Sequence, residues 1–417
     1  MSKLDAQRIM ERADHLATFT SMQDGLKRTY LSPEHKQAHY QLGEWMLQAG
    51  LETWQDSVGN QWGRKVSSNP TMPTLIIGSH SDTVADAGKY DGNLGILVGI
   101  SSLEQLKNVD LPFHVDVVAF ADEEGTRFNS TLIGSSAVAG VFDQNWLSLK
   151  DNDGVTMSQA MVEFGLSPQE VGKDSRSSDD VMAYLEVHIE QGPVLEAQNQ
   201  PVGVVTGIAG AKRFQFQVKG LAGHAGTVPM GMRMDALCAV AEMISTIENY
   251  ATEQSKTENK VVATVGKCEV SPGSVNVIPG EVNFTVDIRS LNQEQLERSC
   301  DDLLTALNSI AKRREVSFSN RLLYQASAVP CNDALQSQWG EIVSRVTESE
   351  PVFLPSGAGH DALAMIHLTE VAMLFVRCDK GISHNPLESV QEDDVAVALQ
   401  CLTQMILAQQ ERKTDGN

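Results

Sequence analysis

His114-Val-Asp-Val-Val-Ala-Phe120 runs directly into Ala121-Asp122-Glu123-Glu124-Gly125. A short apolar run bounded by turn chemistry reads as a strand buried on both faces, and such strands belong to sheets covered by helices. Upstream, 74–79 (TLIIGS) reads the same way, with helical spacing over 94–106 between the two. Further strands are expected over 184–190 and 371–376 (VAMLFV). Ser32-Pro33-Glu34 starts a helix that Gly50 ends, because serine caps, proline suits the first turn and glycine suits the stop. Strands separated by helices predict an α/β domain, with a mixed, largely parallel sheet and helices on both faces.

Between about 211 and 323 the rhythm changes. The stretch 213–219 (RFQFQVK) alternates as a strand, 233–250 reads as a helix, 261–270 and 281–288 as strands, 293–312 as a helix and 315–321 as a strand. That βαββαβ order is the ferredoxin-like arrangement. The expected division is one domain over 1–210 and 328–417, interrupted by an inserted ferredoxin-like domain over 211–327. The last residues, 411–417, are expected to fray.

A chain of 417 residues exceeds what one core usually organises, and a 41% hydrophobic fraction fits a folded enzyme. No apolar run approaches the roughly 18 residues of a membrane span, and the amino terminus reads as an amphipathic helix instead of a signal peptide, so a cytoplasmic protein is expected. Six cysteines lack CxxC spacing and read as reduced small hydrophobes. The formal net charge of −22 argues against nucleic acid as a partner. An anionic substrate would therefore need an arginine acting locally, inside a cleft.

Five stretches carry histidine or paired acids: His80-Ser-Asp82, Asp91-Gly92, Glu123-Glu124-Gly125, His188-Ile-Glu190-Gln191 and Gly381-Ile-Ser-His384-Asn-Pro386. Most fall at or beyond strand ends, where open α/β sheets bind ligands. Imidazoles and carboxylates without thiolates suit borderline divalent metals. Adjacent glutamates beyond a buried strand repel unless a cation lies between them; one could bind it while the other moves a proton. Asp82 could accept the second ring proton of His80 and fix its tautomer. Each stretch alone has a plainer reading: a loop histidine, an Asp-Gly turn, a solvated acidic loop.

Together, HSDT, DGNLG, DEEGTRF, HIEQGPVLE, HAGTVPM, NVIPG, SGAGHDA and GISHNP resemble the dinuclear-metal aminoacylase and carboxypeptidase superfamily of M20-type metallopeptidases. Within it they resemble the branch of N-carbamoyl-L-amino acid hydrolases, allantoate amidohydrolases and β-ureidopropionases. The resemblance implies two divalent ions, zinc first, with manganese, cobalt or nickel tolerated. It implies His80, Asp91 and His188 on one ion, Asp91, Glu124 and His384 on the other, Glu123 as general base and Asp82 behind His80. His188 in HIEQ is similar to the carbamoyl branch, where most peptidase relatives place a carboxylate. Gln191, His224, Asn276, Arg289, Ser356, Gly357, Gly359 and His360 match stretches that surround the ligand in that family. The plainer readings are turns for His224 and Asn276, a surface Arg289 and a helix-start His360.

The implied activity is hydrolysis of the carbamoyl C–N bond of a small, carboxylate-bearing ureido compound, an N-carbamoyl amino acid or allantoate. His224 would stabilise the oxyanion and Arg289 would pair with the carboxylate. A homodimer through the inserted domain, with the partner completing the site, is also implied. The alternatives are a dipeptidase or aminoacylase of the same superfamily, and a non-catalytic protein that binds metal and ligand.

Overall fold

Leu75, Ile77, Val115, Val117, Ala183, Leu185, Val187, Leu374 and Val376 line one face of a sheet, all fully buried, in the computed structural model, which describes residues 3–69, 71–257 and 260–410. Helices Lys3–Leu16, Pro33–Gln48, Asn93–Gln105, Asp333–Thr347 and Glu392–Ala408 cover that face. Across the sheet the order is Glu52–Gln55, Gln61–Lys65, His114–Phe120, Thr74–His80, Val181–Ile189, Val371–Val376, Val202–Ile208. The four strands from His114–Phe120 to Val371–Val376 are parallel to one another, and their flanks are antiparallel.

The period of two decides where polar groups go. If Leu75 and Leu185 face the helices, His80, Asp116, Glu186 and His188 must face the other way. A one-residue slip would drive them into the apolar layer, while each buried Val, Leu or Ile it exposed would forfeit about 1.5–3 kcal/mol. The register is fixed accordingly. On the polar face lie the short helices Ile133–Val138 and Ala362–Met365, the latter packed on Val181–Ile189 and Val371–Val376. The sheet is thus mixed, parallel at its centre and covered on both sides.

The chain divides into two compact units, Met1–Thr206 with Cys331–Asn417, and Gly207–Pro330. In the second, an antiparallel sheet runs Ser317–Ala326, Gly210–Lys219, Glu281–Ser290, Val261–Ser271. Val282, Phe284, Val286 and Ile288 alternate inward against helices Ala236–Gln254 and Gln293–Arg313, the ferredoxin-like arrangement. The first of these helices starts three residues later than its pattern predicts because the Asp235 side chain caps it, accepting from Cys238 N. The last strand begins at Ser317, since Glu315 sits in left-handed backbone with φ 55°.

All six cysteines are free, and no helix of the described residues is long and apolar enough to cross a membrane. The segment 411–417, expected to fray, lies outside the described residues.

Candidate metal centre

His80 ends its strand and His188 is the penultimate residue of the parallel neighbour, so the shared pleat brings the two rings to a centroid separation of 5.7 Å. Both are buried. Asp91 comes from the loop before Asn93–Gln105 and lies between imidazoles. Its Oδ1 is 3.1 Å from His188 Nε2 and 3.5 Å from His80 Nε2, and its Oδ2 is 3.1 Å from His384 Nε2. His384 Nε2 is in turn 3.4 Å from Glu124 Oε1. The ligand atoms of His80, Asp91 and His188 lie within 4.8 Å of one another, as do those of Asp91, Glu124 and His384.

Gly92 makes this approach possible. It has φ 67°, and a Cβ there would meet the His80 carbonyl oxygen at 2.4 Å. His384, at φ 53°, and Gln191, at φ 55°, also hold left-handed backbone beside the cluster, strain of the kind that concentrates at functional sites.

Asp82 organises the opposite side. Its carboxylate accepts the backbone amides of Glu123 at 2.9 Å and Glu124 at 3.2 Å, and lies 3.4 Å from His80 Nδ1, which also approaches the Asp82 carbonyl at 3.1 Å. One residue therefore orients His80 and both glutamates. Gly359 leaves space for Glu123, since a Cβ there would sit 3.1 Å from Glu123 Oε1.

Burial pushes Glu123 up to about 8, and burial with the Glu123 charge pushes Glu124 up to about 8. The Asp91 carboxylate raises His384 to about 9. Burial opposes charge on His80, yet Asp82 and Asp91 together raise its pKa well above the usual histidine value. Asp91 is itself held well below the carboxylate range, burial notwithstanding, by His188, His384 and His80. Protons thus occupy positions that a dication would take. Three imidazoles and two carboxylates, with His80, Asp91 and His188 buried, Glu124 partly buried, His384 exposed at the rim and no thiolate among them, fit borderline divalent ions.

Other candidate residues divide between the units. His360 is fully buried, with Nε2 2.7 Å from Ser356 Oγ and its ring edge-on to His188 at 4.5 Å. Glu186, His188 and His360 form a further close group, but Glu186 already accepts from Ser79, Tyr184 and Ala362 N, so it buttresses the strand. Gln191 Nε2 donates to Asp91 Oδ2 and Ser383 Oγ, both at 3.1 Å.

In the second unit, Ala225 N donates to Asn276 O and His224 pairs with Val277, so the His224 and Asn276 turns are held together. Gly226 N donates to His224 Nδ1, which leaves the proton of a neutral ring on Nε2. Arg289 is partly buried, not a free surface side chain, and grips Asp287 through Nε at 2.7 Å and Nη2 at 3.0 Å.

Three supporting residues are not among the candidates: Ser383, within the GISHNP stretch, and Glu388 and Arg28, which carry no motif of their own. Arg28 is fully buried and donates to Ser81 O at 2.8 Å and Asn93 Oδ1 at 2.9 Å, joining the His80 and Asp91 loops from behind. A lone arginine before a helix gives no periodic or spacing signal. Glu388 could have been noticed as the acid four residues beyond His384.

The profile of "Peptidase family M20/M25/M40" matches residues 76–408. An allantoate deiminase from Arabidopsis thaliana is 42% identical over 403 residues, covering 89% of this chain and 76% of that protein. An N-carbamoyl-L-amino-acid amidohydrolase from Pseudomonas sp. (strain NS671) is 37% identical over 387 residues, covering 92% and 93%. The crystal structure of an amidase of the hydantoinase/carbamoylase family from Burkholderia multivorans superposes with a TM-score of 0.89 at 28% identity, covering 97% of each chain.

Proposed function

The chain belongs to the M20/M25/M40 peptidase family and is a hydrolase of C–N bonds, and from that premise we propose that it is a dinuclear-metal amidohydrolase acting on a carbamoyl group. The substrate class is an N-carbamoyl amino acid or allantoate. The observation that carries the reading is Asp91, whose two oxygens face His80 and His188 on one side and His384 on the other, with Glu124 beside His384 and Glu123 adjacent to it. His80, Asp91 and His188 would hold one ion, Asp91, Glu124 and His384 the second, zinc being the first candidate, then manganese, cobalt or nickel. Bound there, divalent ions supply Lewis-acid charge that acidifies water and polarises a carbonyl.

Glu123 takes the proton from the attacking water and returns it to the departing nitrogen. The C–N bond breaks, the amine leaves, and the carbamate formed decomposes to ammonia and carbon dioxide. Asp82 keeps Glu123 and Glu124 in place through their amides and orients His80. His224 presents its Nε2 proton to the oxyanion. Asn276 and Gln191 hold polar groups of the substrate, and Ser356, Gly357, Gly359 and His360 form the adjoining wall. The second unit is read as supplying the lid and the homodimer contact.

Arg289 is assigned the substrate carboxylate, its fork held in line by Asp287. Arg289→Ala is expected to raise KM about 10- to 100-fold for carboxylate-bearing ureido compounds, the worth of a charged hydrogen-bond pair, with kcat changed far less. Steady-state kinetics on the carboxylate substrate and its amide check this; an unchanged KM removes the assignment.

The deciding experiment is turnover of N-carbamoyl amino acids, allantoate and dipeptides by protein loaded with each metal in turn. Ureido compounds are expected to exceed dipeptides by about 10²-fold or more in kcat/KM. Faster dipeptide cleavage would reassign the chain to the peptidases, the second reading that the family description itself favours.

A further inference from the structure

A buried carboxylate that the chemistry above does not use joins the loops of Asp91 and His384. Glu388 is 4% exposed. Its Oε1 accepts the backbone amides of Tyr90 at 2.8 Å and Asp91 at 3.1 Å, while its Oε2 accepts the Ser383 hydroxyl at 2.9 Å. Gly88 makes room for it, since a Cβ there would lie 2.2 Å from the Glu388 carboxyl carbon. Residues almost three hundred positions apart are thereby clamped together, as the separation of 297 between Asp91 and Glu388 records.

The same contacts set the direction of the Asp91 side chain. Ser383 Oγ lies 3.3 Å from Asp91 Oδ2 but 2.9 Å from Glu388 Oε2, and a hydroxyl has one proton to give. It goes to the nearer acceptor, and Ser383 receives the Gln191 amide proton. Asp91 Oδ2, which accepts from Gln191 Nε2 at 3.1 Å, therefore surrenders nothing to serine and keeps its remaining lone pair for the side that faces His384, where a cation would sit.

We infer that Glu388 is a positioning residue for the metal pair, fixing the backbone and carboxylate of Asp91 and the register of the His384 loop through Ser383. The inference rests on the dinuclear reading above, and it concerns affinity for metal, not the chemical step. Partners that orient metal ligands typically contribute about 10- to 100-fold in metal affinity.

The test is Mn²⁺ binding by the full chain, stripped and then titrated against a competing chelator, alongside hydrogen exchange of the metal-free 88–92 segment. Glu388→Ala is expected to raise the Kd for Mn²⁺ at least about tenfold and to speed exchange at Asp91. Glu388→Gln keeps an acceptor for the two amides but turns an NH₂ toward Ser383, so it should fall between the unaltered protein and the alanine variant. Alanine-variant affinity within twofold of the unaltered protein overturns the inference. If the alanine variant does not fold, the glutamine variant decides: an intermediate Kd supports the role, and an unchanged one overturns it. Uptake of no Mn²⁺ by the unaltered protein would instead overturn the dinuclear reading, and this inference with it.

Discussion

Glu123→Gln is expected to lower kcat by roughly 10³-fold while leaving bound metal close to its original content, the outcome that separates a base from a ligand. The substitution keeps the side chain's shape and its place beside Gly359, and the amide that Asp82 holds is in the backbone, so the scaffold is undisturbed. What disappears is the capacity to take a proton. Burial pushes the Glu123 carboxyl up to about 8 in the metal-free cluster, and bound cations would draw it down from there, freeing the carboxylate to accept a proton near neutral pH and return it. A rival assignment exists within the same cluster, because Glu123 and Glu124 both lie within ligand distance of His80. Metal analysis of the purified variant beside its turnover decides between them: loss of one metal equivalent together with activity would make Glu123 a ligand.

The legibility of this chain followed the physics of each segment. Val371–Val376 was readable to the residue because six buried apolar positions in a row admit little but a central strand. Pro33–Gln48 was readable from its serine cap and terminal glycine. By contrast, Glu52–Gln55 and Gln61–Lys65 pair as a hairpin at the sheet margin, where exposed Glu52 and Gln55 and half-buried Arg64 blur the alternation. Val202–Ile208 carries two glycines, whose weak strand preference hides it. In the candidate centre, His80, Asp91, Glu124, His188 and His384 stood out because imidazoles and paired acids beside glycine are costly without a purpose. Arg28 and Glu388 did not, since their role lies in whom they touch across some tens to hundreds of residues, which no local pattern encodes.

The imidazoles and acids here behave as one unit whose charge state depends on Asp91, so removing that carboxylate is expected to have the broadest effect. Asp91→Asn should lose binding at both proposed positions, abolish measurable turnover, and remove any thermal stabilisation by added metal. A metal at a thousand times its Kd stabilises a folded protein by about 4.1 kcal/mol, so the unaltered protein should unfold several degrees lower when a chelator is added, and the variant should not. The electrostatics give the pH course. His80 and His384 are raised by Asp91, and Glu123 and Glu124 are pushed up to about 8 by burial, so in the metal-free state all four tend to hold protons at pH 7. Ligation requires protons to leave, so affinity should climb as pH rises toward about 9 and fall steeply as pH drops, with protons released on loading at pH 7. In Asp91→Asn the neutral amide no longer holds His384 protonated, and its pKa should fall below the value of about 9 set by the carboxylate. Imidazole titration followed by NMR in the metal-free variant checks this directly. An unmoved His384 together with retained metal would mean that Asp91 does not link the two halves of the site.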